Sequence, residues 1–103
     1  MIYSFDTNVA KLVGTDAAAL YNYIAVCSIY GPDSMTFDGL KYTRFTKNEL
    51  EQHFYFLRKW EVENAINTLI AQGLIVKVNR IDPERPDFEY YGIPNNHNYD
   101  LEL

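Results

Sequence analysis

The chain has 103 residues, 48% of them hydrophobic and 22% charged, with a formal net charge of −5. That length holds one domain around a single modest core, and the composition excludes a disordered chain. No apolar run reaches the length of a membrane span, and the opening MIYSFDTNVAK lacks the basic-then-apolar pattern of a signal peptide, so a cytoplasmic protein is expected. The lone cysteine, Cys27, has no partner for an internal disulfide and fits the same reducing setting.

Asp6 is a good N-cap and Gly14 a good stop, so DTNVAKLV predicts a short helix. TDAAALYNYIAVCSIYG predicts a second helix, capped by Thr15 or Asp16 and ended by Gly31-Pro32. It is apolar on nearly every face and should be central and buried, with Asn22 and Ser28 on its wetter side. Residues 32–40 read as a loop with an Asp38-Gly39 turn, and KYTRF alternates as a short strand.

FTKNEL carries the clearest local signal. Thr46 and Glu49 form a capping box, flanked by the hydrophobic staple Phe45 and Leu50, so a helix starts here and runs to about His53. Phe54, Phe56 and Leu57 then make a compact apolar turn. RKWEVENAINTLIAQG predicts the next helix, with Val62, Ala65, Ile66, Leu69 and Ile70 as its buried stripe and Gly73 as its end. LIVKV and FEYYGI read as strands joined by the loop NRIDPERPD. The expected domain covers residues 1–94, followed by a loosely held polar tail, 95–103. The order helix, helix, strand, helix, helix, hairpin gives the fold class: α+β, mainly helical, a winged helix-turn-helix with an extra N-terminal helix and a C-terminal hairpin wing.

Residues 38–75, DGLKYTRFTKNELEQHFYFLRKWEVENAINTLIAQGLI, resemble the winged-helix domain of phage replication-initiation and replisome-organiser proteins. The resemblance lies in the Asp-Gly turn and short strand before a capped helix, the aromatic turn, and the second helix closing on Gly-Leu-Ile. FDTNVAKLVGTDAAALYNYI looks like the two leading helices of that family. The resemblance implies a phage or prophage protein that binds double-stranded DNA in replication initiation or transcriptional control, without chemistry of its own. Many such proteins continue into a further helical region after the wing.

On that reading Arg58, Lys59, Asn64 and Asn67 at the leading end of the second helix address bases, while Arg44, Lys47, Lys77 and Arg80 contact phosphates. About four phosphate contacts would give a log–log salt slope near −3.6. A homodimer would extend the reach of so small a module.

The charge pattern opens a second reading. Residues 46–80 carry five cations and four anions, whereas residues 81–103 carry Arg85 against six acids. Glu61 and Glu63 stand where basic or hydroxyl residues are usual in the family, and the wing loop holds Asp82, Glu84 and Asp87. Acids there raise the cost of DNA binding but not of binding a basic protein, such as a host nuclease or regulator. The same first-turn acids also fit a purely structural role, because the helix dipole favours them.

Trp60 is expected in the core with Phe54 and Phe56. Exposed at the helix tip, it would instead be a hot spot for protein contact. Nine Tyr, six Phe and one Trp likewise divide between a bulky core, which is preferred, and a sticky surface. His53 reads as a partner for the C-terminal helix dipole, and Cys27 as an inert core residue. His53 and His97 are far apart in sequence, and there is no metal-binding spacing or Gly-rich phosphate loop. No catalytic residue, cofactor, metal or small-molecule substrate is therefore expected.

Overall fold

A computed structural model describes residues 6–32, 34–37, 40–78 and 88–94 of the chain. Helix α1 spans Thr7–Val13 and α2 spans Thr15–Tyr30. Asp6 caps α1, its Oδ1 accepting from the Asn8 N–H at 2.7 Å. The cap of α2 is neither Thr15 nor Asp16 but Gly14. At φ 91° Gly14 adopts a conformation open to glycine, ends α1, and offers its carbonyl to the Ala18 N–H at 3.0 Å. One residue thus closes one helix and opens the next.

Helix α2 is the central element, packing against α1, α4 and the sheet strands β2 and β4. Its expected wet side does not exist, since Asn22 and Ser28 are both buried. Ser28 makes this tolerable by donating its hydroxyl to the Ala25 carbonyl at 2.8 Å. Gly31 ends the helix as expected.

Strands β1 (Met35–Phe37), β2 (Leu40–Thr46), β3 (Val76–Val78) and β4 (Phe88–Ile93) form one antiparallel sheet in the order β1-β2-β4-β3. The segment expected to be only a loop contributes β1, which pairs Met35 with Tyr42. Three residues are too few for alternation to be visible in the sequence. The Asp38-Gly39 turn lies outside the described residues, as do the loop 79–87 and the tail 95–103.

Alternation divides the sheet into two faces. Thr43, Phe45, Glu89 and Tyr91 belong to the face turned toward the helices, and Phe45 and Tyr91 join the main core there. Tyr42, Arg44, Tyr90 and Gly92 belong to the far face. Gly92 has a packing reason: a Cβ there would lie 2.2 Å from Cε1 of the Tyr42 ring.

Helix α3 (Lys47–His53) begins with the expected box, in which Thr46 Oγ1 accepts from the Glu49 N–H at 3.2 Å and Glu49 Oε1 from the Thr46 N–H at 3.3 Å. Helix α4 (Lys59–Ala71) buries Val62, Ala65 and Leu69. Ile66 is half-buried, and Ile70 is exposed, contrary to expectation. The stripe is narrower because α4 faces α2 on one flank and an open cleft on the other.

Gly73 at φ 72° follows the helix, with Leu74 N–H donating to Leu69 O and Gly73 N–H to Ile70 O, each at 3.0 Å. This closing motif brings the fully buried Leu69 and Leu74 together at the helix end. Burying a leucine of this kind contributes roughly 1.5–3 kcal/mol of transfer free energy. No helix among the described residues is long and apolar enough to cross a membrane.

Candidate functional site

The turn between α3 and α4 is organised by one anchor. Phe54 is fully buried, its N–H donates to Leu50 O, and its carbonyl accepts from the Leu57 N–H at 2.9 Å. Its ring meets Tyr23 edge-on at 5.7 Å and His53 at 5.0 Å. With Phe54 and Leu57 turned inward, Tyr55 and Phe56 are pushed outward, 75% and 50% exposed.

Trp60 is not in the core. It is 61% exposed at the start of α4, because Val62, Ala65 and Leu69 occupy the inward face and Trp60 falls on the other side of the helix. Tyr55 and Phe56, in edge-on contact with centroids 6.1 Å apart, and Trp60, at the start of α4, are thus the exposed aromatic tip of the α3–α4 corner, with the exposed Arg58 and Lys59 between them in sequence. The preferred reading of the aromatics as core does not hold at this corner, nor for the exposed Tyr30, although Tyr21, Tyr42, Phe45, Phe54, Tyr90 and Tyr91 are buried.

Glu61 and Glu63 have different roles. Glu61 Oε1 accepts from the Arg58 N–H at 2.9 Å and so helps to start α4. Glu63 is exposed, and at helical spacing it shares one face with Trp60, Asn64 and Asn67. Asn64 borders a shallow groove of about 200 Å³ with Gly14, Asp16 and Trp60, whereas Asn67 borders a second cleft against the sheet.

Of the expected phosphate contacts, Arg44 and Lys77 lie on opposite faces of the sheet. Lys77 on β3 is ion-paired with Glu89 on the helix-facing side of the sheet. Arg44 lies on the far face, its guanidinium 4.4 Å from the centre of the Phe88 ring. Lys47 is the first residue of α3. Arg80, Asp82, Glu84 and Asp87 lie outside the described residues.

Glu89 Oε2 also accepts from the Tyr91 hydroxyl at 3.0 Å. Burial, reinforced by the Glu89 charge, holds the Tyr91 phenol above its ordinary range. His53 sits in the last turn of α3, where a cation would suit the dipole, but burial lowers its pKa and favours the neutral ring. It stacks on Tyr23 with centroids 3.8 Å apart. Burial, aided by Cys27, pushes the Tyr23 phenol up to about 12. Cys27 itself is half-buried rather than enclosed. Among the described residues no group of His, Cys, Asp or Glu side chains is placed to hold a metal ion.

Two contributors escaped the sequence reading. Tyr55 belongs to the tip, and Glu51, on α3, has an oxygen buried without a hydrogen-bond partner among the described residues. A signal for Tyr55 did exist: in FYFL four large apolar residues occupy one tight turn, and a turn cannot direct all of them inward. No sequence signal marks Glu51.

No known family profile matches the chain, no curated protein sequence matches it, and no solved structure matches its fold.

Proposed function

We propose that this chain is a non-catalytic winged helix-turn-helix module that contacts a protein through its α3–α4 corner. The winged-helix reading is supported by the element order and by the antiparallel pairing of β4 with both β2 and β3. The phage or prophage setting rests on the resemblance alone.

The observation that carries the contact reading is the 61% exposure of Trp60 next to Tyr55 and Phe56. Large aromatics and arginine dominate the energetics of protein interfaces, and Arg58 completes the set. The electrostatics agree. Lys77 is engaged by Glu89, Arg44 lies on the other sheet face, and Glu63 shares the exposed face of α4 with Trp60.

Duplex DNA is the second reading, favoured by the exposure of Arg58, Lys59 and Asn64 at the leading end of α4. Two measurements separate them. A photo-cross-linking residue in place of Phe56 should give one discrete protein adduct in bacterial cells, and Trp60→Ala should abolish it. Fluorescence anisotropy with random duplex DNA should show no salt-sensitive binding. A log–log salt slope of about −0.9 per phosphate contacted, with no adduct, would instead establish the DNA role.

A further inference from the structure

A cleft of about 310 Å³ opens between α3, α4 and the helix-facing side of the sheet. It is lined by the apolar Phe45, Val62 and Ile66 together with polar groups that include Glu51, Glu63 and Asn67. Oε1 of Glu51 is shielded from solvent and has no hydrogen-bond partner among the described residues. Buried acceptors are nearly always paired, so this oxygen calls for a donor that the described residues do not supply.

Lys77 lines the same cleft but is held by Glu89, which already accepts from Tyr91. The carboxylates are not grouped for a metal ion. What the cleft offers is an acceptor beside apolar side chains, in a lining whose charged groups are Glu51, Glu63 and Glu89 against Lys77. A guanidinium suits it better than an ammonium. It is more weakly hydrated, presents five donors in a plane, and carries a methylene stem that covers apolar surface.

We propose that this cleft receives an arginine side chain from a basic protein partner, with Glu51 Oε1 accepting one guanidinium N–H and the stem lying along Phe45 and Ile66. The inference deepens the protein-contact reading by naming the partner's chemistry, and it rests on that reading only for the source of the arginine.

The test is a titration of the isotope-labelled full chain with N-acetyl-arginine amide, followed by amide chemical shifts. Saturable shifts are expected around Glu51, Asn67 and Lys77. N-acetyl-citrulline amide, which has the same shape without the charge, should bind at least tenfold more weakly, as should N-acetyl-lysine amide. Glu51→Gln should weaken the arginine probe at least tenfold. Asn67→Lys, at an exposed position and with a competing ammonium at the cleft mouth, should do the same even if Glu51→Gln fails to fold. Trp60→Ala should leave the titration unchanged.

No saturation, equal binding of citrulline, or full affinity in a folded Glu51→Gln chain overturns the proposal. Equal binding of the lysine probe overturns the guanidinium assignment. Loss of the Phe56 adduct with the titration intact counts against the aromatic tip alone, and the reverse result counts against the cleft alone.

Discussion

Glu61 accepts the backbone N–H of Arg58 across the first turn of α4 at 2.9 Å, while Glu63, two residues on, stands exposed beside Trp60. Of two neighbouring acids, one is engaged in starting the helix and the other lies on its exposed face. Glu61→Ala should lower stability by about 1 kcal/mol, the net worth of one such hydrogen bond. Glu61→Gln keeps the acceptor and should retain most of it. Urea midpoints decide this, and equal midpoints for wild type and Glu61→Ala would remove the capping role.

Thr46→Ala should cost about 1 kcal/mol, because it leaves the Glu49 N–H without its capping oxygen at the start of α3. Chemical denaturation monitored by far-UV circular dichroism reads the change. Thr46→Ser, which keeps the hydroxyl, should recover most of the loss.

His53 predicts an acid-side dependence of stability. Burial places its folded-state pKa below the ordinary 6.5, so at pH values between the two the unfolded chain binds more protons than the folded one. Stability should therefore fall as pH drops from just above 6.5 toward the folded-state value, and it should recover as pH rises. His53→Phe preserves the stack on Tyr23 and removes the proton. Its urea midpoint should change less than that of wild type between pH 7.5 and pH 5.5, and identical slopes would exclude His53 as the source.

Gly92→Ala should destabilise the sheet by about 1–3 kcal/mol, the usual range for forcing an extra methyl into packed surroundings. The added carbon would fall 2.2 Å from the ring of Tyr42, its cross-strand neighbour. The double variant Gly92→Ala with Tyr42→Ala should show a smaller penalty for the glycine change than the single variant. A penalty independent of residue 42 would point to backbone freedom at Gly92 instead.

Local chemistry made much of the fold legible. The Asp6 cap, the Thr46–Glu49 box, the Gly73 stop and the run FEYYGI each act within a few residues, and each appears where it was expected. Strand β1 was missed because its pairing is decided by β2, not by its own three residues. Asn22 and Ser28 were misplaced because polarity alone does not show whether a buried partner is within reach. The candidate site was less legible still. Arg44 and Lys77 look alike in sequence, yet strand register sends them to opposite faces of the sheet.

The sequence by itself determined where the helices end and where α1 and α3 begin, since caps, stops and apolar periodicity are properties of adjacent residues. Only the tertiary structure decided that Trp60 is exposed and that one oxygen of Glu51 is buried with no donor among the described residues. The reason is geometric. Exposure and pairing depend on which elements cover a side chain, and α2, α4 and the sheet meet through contacts that no local pattern encodes.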